Sequence, residues 1–116
     1  MSQSVPILYY DNRSPCNRSI LMLIETLNIS IDYIFVDLFK QEHQEEHFLK
    51  INQFHTVPCL KYNDLFLRDS HAILIFLCDL YGKGSLFEIE TIQYRSLIID
   101  RLMFHATKMF VRGKHI

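Results

Sequence analysis

The order of apolar stretches and breakers predicts an α/β domain of the form βαβαββα, built on a four-stranded mixed sheet and followed by one long helix. Three observations carry this. Short β-branched or aromatic runs alternate with helical periodicity up to residue 51. Two further strands meet at Asn63-Asp64 in the manner of a hairpin. After the punctuation GKGS at 82–85, no helix breaker occurs between Glu88 and Arg112.

The elements follow in order. VPILYY (5–10) is a short apolar run ended by DNRSP, and reads as the first strand. From Pro15 to Leu27, the residues Ile20, Leu21, Leu23, Ile24 and Leu27 fall at helical spacing. Ser14-Pro15 marks the start of that helix: serine can cap orphan N–H groups, and proline at the first helical position has no N–H to leave unpaired. DYIFVDL (32–38) is a second strand, and the polar HQEEHFLKI (43–51) a second helix. PCLKYN and LFLR form the hairpin, after which Ser70 caps the apolar helix HAILIFLCDLY. The last helix, 88–112, spreads Ile92, Leu97, Ile98, Ile99, Leu102, Met103, Ala106, Met109 and Phe110 over more than one face. One helix cannot shelter all of these, so it is expected to pack on another chain or to open a second domain. The domains are expected at 1–82 and 83–116.

Pro58 raises a separate question, because it stands at the mouth of a strand and has no N–H for a ladder. It is either a plain strand-entry proline or part of a cis Val57–Pro58 bond. The cis bond would leave the Val57 backbone groups to pair with something other than protein.

Composition excludes several classes. The chain has 116 residues, 49% hydrophobic and 22% charged, which suits one compact core. A formal net charge of -1 without a basic run gives no field for nucleic acid or anionic lipid. The N-terminus lacks a basic region followed by a long apolar segment, and the most apolar run is interrupted by Asp79. Cys16, Cys59 and Cys78 show no CxxC pairing and suit free thiols in a reducing compartment. A soluble cytoplasmic protein, binding neither nucleic acid nor membrane, is expected. His43 and His47 are spaced to share a metal, but HQEEH lacks a glutamate directly after the first histidine and offers no third ligand, so no metal is expected.

With βαβαββα in place, the architecture is thioredoxin-like, with Pro58 facing the N-terminus of helix 15–27. NRSP with Arg18, KINQFHTVPCL and LRDSHAI, in that order, resemble the glutathione-binding half of cytosolic glutathione transferases of the insect delta and epsilon classes. PILYYDNRSP, VDLFK and DSHAILI are most similar to the Noppera-bo group of epsilon-like enzymes.

The resemblance implies a reaction: attack of bound glutathione thiolate, the co-substrate, on an apolar electrophile. For the Noppera-bo group it also implies a link to ecdysteroid production, a steroid-like ligand and a homodimer when the full domain set is present. Ser14 would be the catalytic hydroxyl, donating to the glutathione sulfur and favouring the thiolate; otherwise it is an N-cap. Asp69 would face the γ-glutamyl ammonium and Ser70 its carboxylate, capping being the alternative. His43 and His55 would reach the glycyl carboxylate, although each taken singly reads as a surface histidine. The Val57 backbone, set by Pro58, would pair with the cysteinyl residue like an added strand. The helix from residue 88 would be the first of an all-helical domain otherwise missing here. Cys16 departs from the proline common in the epsilon classes, and SPC leaves thiol redox exchange as a rival chemistry.

Overall fold

The computed structural model describes residues 4–37, 39–42, 45, 46, 57–83 and 91–109. Strands β1 (Ile7–Tyr10), β2 (Asp32–Phe35), β3 (Cys59–Tyr62) and β4 (Leu65–Leu67) form one sheet in the order β2-β1-β3-β4. β1 pairs with β2 in parallel and with β3 antiparallel, and β3 pairs antiparallel with β4, so the sheet is mixed as expected. Helices α1 (Pro15–Leu27), α2 (Ser70–Tyr81) and α3 (Ile92–Phe104) complete the described elements, followed by a π-helical turn at His105–Met109. Apart from Glu45 and Glu46, the helix expected at 43–51 lies outside the described residues.

The parallel β1–β2 pair requires a crossover, and α1 supplies it. Pro15 occupies its first turn, and Asn28 ends it at φ 55°, a left-handed conformation that asparagine tolerates better than most residues. One face of α1 is buried through Asn17, Ile20, Leu23 and Ile24, at helical spacing. In the sheet, Leu8 lies opposite Leu60 and neither is exposed. Burying each such side chain is worth about 1.5–3 kcal/mol. At the hairpin, Asn63 takes φ 54°. Tyr10 meets Tyr33 and Phe35 of the edge strand in edge-on ring contacts, with centroids 5.6 and 5.7 Å apart.

The trace groups into two compact units, Met1–Leu74 and Ile75–Ile116, with the division falling inside α2. The first holds the sheet and α1. In the second, Arg95 of α3 pairs with Asp79 of α2 at 2.7 Å. The final helix is shorter than the 88–112 that the absence of breakers suggests. Thr91 caps it, accepting the Tyr94 N–H at 3.1 Å, and the regular hydrogen-bond pattern gives way to the π turn after Phe104. No residue of α3 is buried. Among the described residues no helix is long and apolar enough to cross a membrane, and no cluster of His, Cys, Asp and Glu could hold a metal ion.

Candidate functional site

The strand register gathers the candidate residues at one end of the sheet. β1 and β2 both finish there, with Tyr10 opposite Phe35. β3 begins there with Cys59 opposite Tyr9, and β4 finishes there with Leu67 opposite Leu60. The chain therefore leaves β1 through Asp11–Ser14 into α1, enters β3 through Val57-Pro58, and leaves β4 through Arg68-Asp69 into α2. Ser14, Val57, Pro58, Asp69 and Ser70 all belong to these three junctions. His43 and His55, and the paired histidine His47, lie outside the described residues.

The Val57–Pro58 bond is cis, the second of the two alternatives for that proline. The Val57 side chain is buried in a cluster with Tyr9, Val36 and Cys59, while its backbone N–H and C=O find no hydrogen-bond partner among the described residues. Burial pushes the Cys59 thiol up to about 11 and raises Tyr9 from its ordinary value, with the neighbouring Cys59 adding to the latter. Cys59 is therefore a packed, protonated thiol at neutral pH rather than a reactive one. Cys16, in the first turn of α1, is partly exposed.

Ser14 departs from the capping role suggested by the Ser-Pro pair. It has the extended backbone of an N-cap, with φ -86° and ψ 133°, yet its side chain accepts no helix N–H. Its carbonyl instead takes the N–H groups of Asn17 and Arg18, both at 3.1 Å. Pro15 has no N–H to satisfy. The partly exposed hydroxyl thus sits unused at the N-terminus of a 13-residue helix, where partial positive charge favours an anion.

At the start of α2 the assignment of roles changes. The cap is Asp69: its Oδ1 accepts the N–H of His71 at 2.8 Å and of Ala72 at 3.4 Å, and its carbonyl accepts that of Ile73 at 3.0 Å. Ser70, expected as the cap, is the first helical residue and is buried, with its hydroxyl 3.5 Å from His71 Nδ1. Asp69 stands directly before the first helical residue, its side chain has a longer reach, and aspartate caps at least as well as serine. The same Oδ1 also meets His71 Nδ1 at 3.1 Å.

Four polar residues were given no role by the motifs, three of them although they lie inside the quoted stretches. Asp11, fully buried, is gripped by Arg13 through Nε–Oδ1 at 2.9 Å and Nη2–Oδ2 at 2.6 Å. The same Arg13 Nη2 donates to Asp37 Oδ1 at 2.7 Å, just beyond β2. The guanidinium lies 3.9 Å over the Phe39 ring. Arg13 holds the Asp37 carboxyl below its ordinary value, assisted by the N–H groups of Lys40 and Phe39, while the two carboxylates raise Arg13 itself. Asn17, also fully buried, accepts the Asp11 N–H on Oδ1 at 3.2 Å. Its Nδ2 is the buried side-chain polar atom left without a partner among the described residues. One signal was readable: Asn17 falls three before Ile20 and seven before Ile24, on the buried stripe, where a polar residue needs a reason.

Residues 13–80 match the model of the glutathione S-transferase N-terminal domain. The chain is 37% identical over 107 residues to glutathione S-transferase 1 of Manduca sexta, covering 91% of this chain and 49% of that protein. Among solved structures, a glutathione transferase homologue from Drosophila mojavensis with bound glutathione superposes with a TM-score of 0.84 at 34% identity, covering 90% of this chain and 48% of that one. An epsilon-class glutathione S-transferase from the housefly, Musca domestica, gives 0.80 at 35% identity, with coverage of 88% and 47%. The chain spans about half the length of the curated relatives it matches. The thioredoxin-like sheet, the domain match and these likenesses agree that this chain belongs to the glutathione S-transferase family, through its N-terminal domain.

Proposed function

We propose that this chain binds glutathione at the strand-end junctions and belongs to a transferase that adds its thiolate to an apolar electrophile. The observation that carries the reading is the idle Ser14 hydroxyl at the N-terminus of α1. A hydroxyl there can donate to a sulfur, and a hydrogen bond to the charged form, together with the helix terminus, favours the thiolate at neutral pH. The Val57 backbone beside Pro58, without a partner among the described residues, offers the two bonds of an added strand for the cysteinyl residue. Asp69 and Ser70 take the γ-glutamyl end, and His43 and His55 the glycyl carboxylate. The thiolate, held in position, attacks the electrophile, and positioning supplies much of the acceleration.

The finer reading rests on sequence stretches. PILYYDNRSP, VDLFK and DSHAILI support a place nearest the Noppera-bo group, and with it an ecdysteroid link, a steroid-like ligand and a cytoplasmic homodimer. A second reading, glutathione binding without conjugation, is favoured by α3, which buries none of its residues. It goes with domains at 1–82 and 83–116 and an all-helical domain of which α3 is the first element. Titration of the chain with glutathione, following the thiolate absorbance of the bound tripeptide against pH, tests both. Binding with little turnover of a model electrophile is expected, and Ser14→Ala should raise the pKa of the bound thiol while Cys16→Ala leaves it unchanged. An unchanged titration in Ser14→Ala, with chemistry lost in Cys16→Ala, would replace the transferase reading by thiol redox exchange.

A further inference from the structure

The segment that carries Ser14 is held through Asp11, Arg13 and the Ser14 backbone. The Asp11 N–H donates to Asn17 Oδ1 at 3.2 Å, and the Asp11 carbonyl accepts the Ser14 N–H at 3.1 Å. The Arg13 N–H donates to Asp11 Oδ1 at 3.0 Å, and the Arg13 carbonyl accepts Arg18 Nη2 at 2.9 Å. Arg13 then reaches out of the loop to Asp37 at 2.7 Å, anchoring it to the chain leaving β2. Asp11 is fully buried and Arg13 is not, so the guanidinium is the countercharge that lets a carboxylate remain inside. A loop fixed this way at both ends, with one hydroxyl left out of the network, is built to aim that hydroxyl.

We propose that Arg13 is a positioning residue for Ser14: by joining the carboxylates of Asp11 and Asp37 it holds the Asp11–Ser14 loop in the geometry that directs the Ser14 hydroxyl to the glutathione sulfur. This rests on the reading of Ser14 given above. The role needs the planar two-sided fork of arginine, which reaches both carboxylates at once, and not merely a positive charge. Besides Asp11 and Asp37, the charged residues bonded to this fork among the described residues are Arg18, on the Arg13 carbonyl, Glu42, whose Oε1 accepts the Asp37 N–H at 2.7 Å, and Lys40, whose backbone N–H donates to Asp37.

The test is the titration of bound glutathione in Arg13→Ala, Arg13→Lys and Asp37→Asn, each also made in a Ser14→Ala background. Asp37→Asn keeps the inner pair with Asp11 and guards against a variant that fails to fold. With Ser14 present, Arg13→Ala and Arg13→Lys should both lower the thiolate-to-thiol ratio at neutral pH by about threefold or more, a shift of roughly half a pKa unit. Asp37→Asn should lower it less, and glutathione affinity should stay within about twofold throughout. In the Ser14→Ala background these substitutions should have no effect. A full rescue by Arg13→Lys, or an equal shift without the Ser14 hydroxyl, would make Arg13 a source of charge and overturn the positioning role. If Ser14→Ala shifts the titration while none of the other substitutions does, the positioning role alone falls. If glutathione does not bind, or Ser14→Ala leaves its titration unchanged, the reading of Ser14 falls and takes this role with it.

Discussion

In the sheet, Leu8 and Leu60 face each other at 0% exposure, whereas in α3 the large apolar side chains of Ile92, Leu97 and Phe104 stand 81%, 49% and 53% exposed. Both regions are rich in apolar residues, so composition does not separate them. The centre of the sheet carries its complement within itself: β1, β3 and the helical stripe of α1 bury Leu8, Leu60, Ile20 and Ile24, while the edge strand β2 stays exposed along its length, with Ile34 at 44%. α3 distributes its apolar residues around the helix, and no described residue buries them. A core is a property of paired surfaces, not of hydrophobic content.

Substitutions can break or sharpen this contrast. The largest effect is expected from Leu60→Ala, which should destabilise the chain by about 2–5 kcal/mol in a denaturant melt. Leu97→Ala in α3 should stay within about 0.5 kcal/mol. Equal costs would mean that α3 has a cover in solution, and sedimentation at increasing concentration would tell whether that cover is a second copy. Next comes Asn17→Ala, which removes the acceptor of a buried Asp11 N–H and should cost about 1–3 kcal/mol of global stability.

Its counterpart in the other region is Thr91→Ala, which deletes the cap of α3 and should cost about 1 kcal/mol. That loss should appear as faster amide exchange confined to α3, with the global melt unmoved. A shift in the global melt would show that the helix folds as one unit with the sheet. The smallest effect is acid-dependent. The Asp37 carboxyl is held below its ordinary 3.8, so its stabilising contribution is complete above that pH and is lost as the pH falls toward the folded value. Asp37→Asn should therefore be less stable than the parent near neutrality, and the gap should close below about pH 4. A gap that persists in acid would mean that the pair with Arg13 is not what matters at this position.

Element types were legible because each rests on local chemistry: Pro15 opening α1, short β-branched or aromatic runs for the strands, Asn63 at the hairpin. Pro58 was legible too, as a residue out of place in a ladder. Ends were less so. α3 begins at Ile92 because Thr91 caps it, and the absence of breakers from 88 onward carried no such information. Asp69 and Ser70 are both good caps one residue apart, and only the start of the helix at Ser70 chooses between them. Asp37 stands 24 residues beyond Arg13, and their pairing depends on β1 and β2 finishing side by side. A pairing made by the fold leaves no pattern along the chain.

The Ser14 hydroxyl contributes no hydrogen bond to the start of α1, so the helix would begin in the same place with another side chain there. Capping serines usually cannot be replaced without loss of helix stability, which ties their chemistry to the scaffold. Here the two are separable. One codon can exchange the hydroxyl for a thiol, a phenol or nothing while the backbone that presents it stays as it is. Such a position can change its side chain with little penalty in folding, so what stands there is free to vary while the architecture stays the same.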